Sequence, residues 1–90
     1  LTFKTFDEVI ERANDNDLGL CSYIYTNDLK KANLASEMME TGCVAVNTAA
    51  VAFAEAPFGG IKQTGYGREG GSMAIKDYLN IKYTHFGISF

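Results

Sequence analysis

Apolar positions along this chain switch between two periods, and the switches predict its elements. Phe6, Val9, Ile10 and Ala13 recur at i, i+3, i+4 and i+7, one face of a helix. Thr5-Phe6-Asp7-Glu8 has the form of a capping box at its start: the Thr5 hydroxyl accepts from the Glu8 amide while Glu8 reaches back to the cap amide. Asn14-Asp15-Asn16-Asp17 ends the pattern, and Gly19 suits the turn that follows. Residues 21–26 alternate and carry two Tyr and one Ile, which predicts a strand. Asn27 or Asp28 caps a second helix, in which Leu29, Ala32, Ala35, Ser36 and Met39 share a face. Gly42 stands where a C′ glycine ends such a helix. Cys43 to Asn47 is a short apolar run, the mark of a strand buried on both faces. Strand, helix, strand in this order predicts a right-handed parallel βαβ unit.

The pattern then breaks. Residues 48–71 are rich in Ala and Gly and hold the only proline, Pro57. A connection of more than about 20 residues seldom occurs in a compact domain without a functional reason. Ser72 is placed to cap a third helix with Ile75, Tyr78 and Leu79 on one face, and residues 81–86 predict a closing strand.

Composition narrows the function classes. With 90 residues the chain is one small domain, and a domain of that size buries only about 60% of the surface that its unfolded form exposes. The hydrophobic share of 47% argues for a packed chain, not a disordered one. A net charge of -3 with interspersed signs argues against a nucleic-acid partner. No apolar run reaches the roughly 18 residues of a membrane span, and no signal-peptide pattern opens the chain. The start at Leu1, directly before a helix, reads as a cut inside a larger fold. Cys21 and Cys43 read as buried, reduced thiols packed as small hydrophobes. Two cysteines make no disulfide framework, although a single bridge stays open. No His or Cys stands at metal-ligand spacing.

Candidate chemistry is sparse. Gly65-Tyr66-Gly67-Arg68-Glu69-Gly70 matches G-x-G-x-x-G, but a dinucleotide fingerprint needs a buried strand directly before it and an acid about 20 residues on. Ile61-Lys62-Gln63-Thr64 does not read as that strand, and residues 84–90 hold no acid. Glycines that permit left-handed turns and close packing are the plainer explanation. His85, the single histidine, has no nucleophile or orienting carboxylate near it in sequence and reads as a surface or interface residue. Glu55, Lys62, Arg68 and Glu69 read as loop-ordering ion pairs.

The loop as a whole is more specific than its glycines. The run from Ala56-Pro57-Phe58-Gly59-Gly60-Ile61-Lys62-Gln63-Thr64 through Gly71 resembles the P-F-G-G-x-K-x-S-G-x-G-R-E segment of aldehyde dehydrogenases. The flanks are similar too: Asn14 to Leu20, Tyr25 to Leu29, Gly42 to Asn47 and Tyr78 to Tyr83 resemble that family's turns, strand and C-terminal passage. The resemblance covers nearly the whole chain and is nearest to the succinate-semialdehyde dehydrogenase branch.

The resemblance implies an α/β fold. Residues 1–80 would supply βαβ units of a parallel sheet, the C-terminal part of the catalytic domain, and residues 81–90 a terminal assembly strand. It implies NAD(P)-dependent oxidation of a small aldehyde to a carboxylic acid through a cysteine thiohemiacetal. A thiolate suits that chemistry because it is a strong nucleophile whose acyl adduct still hydrolyses. The family's nucleophile, its glutamate base and its cofactor-binding part lie N-terminal to Leu1, and neither Cys21 nor Cys43 matches the nucleophile's motif. No catalytic, cofactor-binding or metal-ligating residue is therefore assigned within the chain, and a role confined to packing or association is the alternative. Two positions match the family's substrate tunnel. Phe58 matches the aromatic beside the reacting thiol. Ala52 matches a variable position, often serine in succinate-semialdehyde enzymes, where it helps bind the distal carboxylate. Thr64 replaces the family's usual serine and keeps a hydroxyl. Homo-oligomers (dimer or tetramer) and a cytoplasmic location complete the expectation, without a nucleic-acid or membrane partner.

Overall fold

The computed structural model describes residues 1–89; Phe90, the end of the expected assembly strand, lies outside them. Helix α1 spans Phe6–Asn14, strand β1 Leu18–Gly19, β2 Cys21–Ile24, helix α2 Leu29–Met38, β3 Cys43–Val46 and β4 Ile61–Lys62. A 3-10 turn, Ala74–Tyr78, follows. None of these helices is long and apolar enough to cross a membrane.

The predicted order of strand, helix and parallel strand is present. β2 and β3 pair in parallel, with Cys21 opposite Cys43 and Ile24 opposite Val46. Both helices start as their caps require. The Thr5 hydroxyl accepts from the Glu8 amide at 3.1 Å, and Asp28 accepts from the Lys31 amide at 3.0 Å. Glu8 reaches back one residue further than a capping box requires, to the Lys4 amide at 2.9 Å. At the far end of the ladder, the Asn47 side chain acts as a further backbone rung. It accepts from the Thr26 amide and donates to the Thr26 carbonyl, both at 2.9 Å.

Several expectations are corrected. Gly42 is no C′ glycine: α2 ends at Met38, its C-cap Met39 is extended, and Gly42 has no left-handed backbone. A Cβ on Gly42 would overlap the Gly59 carbonyl and lie 2.8 Å from the Gly60 Cα, so the glycine is there for a close backbone crossing. Gly19 likewise sits in a strand, where a Cβ would meet the Glu40 carbonyl and Ile61, each at 2.9 Å. β3 is not buried on both faces; only Ala45 is buried, because β2 is its sole neighbour. Ser72 caps nothing: the 3-10 turn has Met73 at its N-cap, without a side-chain bond, and leaves Ile75, Tyr78 and Leu79 exposed. Residues 81–86 join no ladder among the described residues.

The core is thin. Among the described residues only Ile10, Ala32, Ala35 and Ala45 are buried hydrophobics. The radius of gyration is 18.8 Å, against about 12 Å for a compact chain of this length.

Gly42→Ala is expected to lower stability by about 3 kcal/mol or more, because rigid backbone stands on the other side of the crossing. Urea unfolding followed by circular dichroism, compared with wild type, checks this.

Candidate functional site

The long connection folds back on itself and is tied to the βαβ unit at several points. β4 pairs antiparallel with β1, Gly19 opposite Ile61. Phe58 and Glu69 exchange two backbone hydrogen bonds of 2.7 Å, which closes the stretch between them into a hairpin-like loop. The Thr64 hydroxyl accepts from the Gly19 amide at 2.8 Å, so the hydroxyl at this position is structural. Gly65, Gly67, Gly70 and Gly71 all have positive φ, the left-handed turns expected of them.

Charged residues of the loop act differently from expectation. Glu55, Arg68 and Glu69 form no ion pair among the described residues. Arg68 instead donates to the carbonyls of Gly60 (2.9 Å) and Gly67 (2.7 Å), clamping the two limbs together. Asp77, overlooked in the sequence, accepts from the Arg68 amide at 3.0 Å. Lys62 is a junction: its Nζ pairs with Glu40 at 2.7 Å and donates to the carbonyls of Asn14 (3.0 Å) and Asn16 (3.1 Å). Asn14 adds two more links, donating to the Met38 carbonyl and accepting from the Glu40 amide. No spacing rule connects residues so far apart in sequence.

Phe58 is half-buried and lines an open hollow of about 300 Å³ with Leu20, Thr64, Tyr66, Arg68, Asp77 and neighbouring glycines. Ala52 is exposed, in an irregular stretch outside that hollow, so the two expected tunnel positions do not share one cavity in this chain. A larger hollow of about 450 Å³ lies between α1, β2 and α2. Its walls are mainly apolar (Phe6, Ile10, Ile24, Met39), with no carboxylate, thiol or imidazole to do chemistry.

The G-x-G-x-x-G loop does not suit a pyrophosphate. The strand before it is only two residues long and antiparallel, and no helix opens after its last glycine. The Asp77 carboxylate occupies an amide of the loop and would lie 2.8 Å from a Cβ on Gly67, placing negative charge where phosphate would need donors. His85 is exposed, and among the described residues its one hydrogen-bond partner is the Tyr83 hydroxyl, at 3.3 Å. No group of three metal-ligating side chains exists among the described residues.

Cys21 and Cys43 are free and half-buried, less enclosed than expected. Burial, and then the neighbouring Cys43, push the Cys21 thiol above its ordinary value. The unfolded chain therefore ionises Cys21 first, and rising pH favours unfolding. This contribution to stability is complete below about pH 8.5 and is lost as pH rises towards the folded value. Wild type should accordingly lose stability more steeply than Cys21→Ala as the pH rises above about 8.5. Urea midpoints for both proteins across that range test the sign.

The aldehyde dehydrogenase family profile matches residues 1–84. The chain is 52% identical to 3-sulfolactaldehyde dehydrogenase of Pseudomonas putida over 85 residues, covering 94% of this chain and 18% of that protein. It is 49% identical to succinate semialdehyde dehydrogenase of Acinetobacter baylyi, with the same coverage. The NAD+ complex structure of aldehyde dehydrogenase from Bacillus cereus superposes with a TM-score of 0.92 at 38% identity, over 99% of this chain and 18% of that one.

Proposed function

Since the chain belongs to the aldehyde dehydrogenase family, we propose that it serves as the C-terminal part of an NAD(P)-dependent enzyme that oxidises a small aldehyde, succinate semialdehyde or one like it, to the acid. The reaction proceeds through a cysteine thiohemiacetal. The nucleophile, the base and the NAD or NADP site come from outside these residues, and the chain alone is inactive.

The observation that carries this reading is the run from Pro57 to Glu69, held by the Phe58–Glu69 bridge and the Arg68 clamp, beside a thin core. The chain spans about 18% of the length of the relatives it matches. Its exposed Leu, Ile, Phe and Tyr side chains are what a piece of a larger folded unit would present.

In this reading each local feature has a task. The bridge fixes the backbone of Phe58, so its ring is a stiff apolar wall that excludes water and holds the aldehyde carbon beside a thiol supplied from elsewhere. Ala52 leaves its part of the tunnel without a hydroxyl, which reduces grip on a distal carboxylate. Residues 81–90 add an assembly strand against another subunit, giving a dimer or tetramer.

Titrating NAD into the chain should give no saturable binding; a bound cofactor would defeat this assignment. In the full enzyme, followed by NAD(P)H absorbance, Phe58→Ala should lower kcat/KM by about tenfold or more. Ala52→Ser should lower KM for succinate semialdehyde by roughly fivefold, the worth of one hydrogen bond of about 1 kcal/mol, and leave an uncharged aldehyde unaffected.

A further inference from the structure

Beyond the dehydrogenase reading, and independent of it, stands the placement of the two thiols. Cys21 and Cys43 are register partners on adjacent parallel strands, so their side chains leave the same face of the sheet. Neighbouring strands lie about 4.8 Å apart, inside the window of Cα separations that a disulfide spans, about 4.4–6.8 Å. Both residues are half-buried, and both cysteines are free. The Cys43 Sγ has one weak partner, the Gly59 carbonyl at 3.5 Å.

We propose that Cys21 and Cys43 form a redox modification site: a small disulfide such as oxidised glutathione converts them to a cross-strand disulfide. One thiolate attacks the small disulfide, breaking its S–S bond and expelling one thiolate, which takes up a proton. The other cysteine, as thiolate, then attacks the protein sulfur of the mixed disulfide. The Cys21–Cys43 bond forms and the second small thiol leaves. Two protein thiols are oxidised, and one small disulfide is reduced to two thiols. The raised Cys21 thiol slows exchange near neutral pH without moving its end point. Closure turns the Cys43 sulfur away from the Gly59 carbonyl, releasing a tie between β3 and the residue that follows Phe58.

The test incubates the folded chain with oxidised glutathione. Thiol titration should fall from two per chain to none, peptide mapping should join Cys21 to Cys43, and non-reducing electrophoresis should show no linked chains. Cys43→Ser should stop at a glutathione adduct on Cys21. Equilibrium with glutathione should favour the closed form at least tenfold more in buffer than in urea, where the register is lost. Stable adducts on the wild-type chain, linked chains, unreacted thiols, or equal closure in buffer and urea would each overturn the proposal.

Discussion

One close backbone crossing holds the molecule together: Gly42, at the edge of β3, lies directly against Gly59 and Gly60. Two chain segments approach this closely only where neither carries a side chain in the gap. The contact brings the long connection onto the βαβ unit, and the remaining ties gather round it. Gly42 donates to the Gly19 carbonyl at 3.0 Å, Cys43 reaches Gly59, and β4 pairs with β1 beside them. Without the crossing, the Phe58 loop would depend on these side ties alone for its position relative to the strands.

The rest of the interior offers little to compensate. Among the described residues three of the four buried hydrophobics are alanines, whose burial contributes little apolar area compared with a Leu or Phe. The large side chains point outward: Ile81 is 96% exposed and Phe86 81%. Local order therefore rests heavily on directional contacts, namely caps, short ladders and side chains bonded to backbone. Such contacts shape a surface well but contribute only modestly to stability.

What could be read in the sequence was what depends on neighbours along the chain. The caps at Thr5 and Asp28, the existence of α1 and α2, and the parallel β2–β3 pair all follow from local period and composition, whereas the predicted faces hold only in part, since Ala13 and Leu29 are exposed. The run from Ala56 to Gly71 marks a candidate site by resemblance only, and the left-handed turns expected of its glycines are present at Gly65, Gly67, Gly70 and Gly71. The contacts that escaped are long-range. A two-residue ladder between β1 and β4 has no periodicity to detect, and nothing near Lys62 foretells Glu40. Gly42 was misread because a glycine after a helix usually serves to end it, whereas here the demand came from Gly59, far along the chain. The strand expected at 81–86 has the right alternation, but a strand exists only where a partner edge is offered.

Lys62 has a left-handed backbone, uncommon for a residue with a side chain, and its ammonium seals the carbonyl end of α1. The first helix and the glycine-rich loop thus share a single fastening. Neither can fray at that point without loosening the other, so the last turn of α1 and the Ile61–Lys62 strand should exchange their amide hydrogens as one cooperative block.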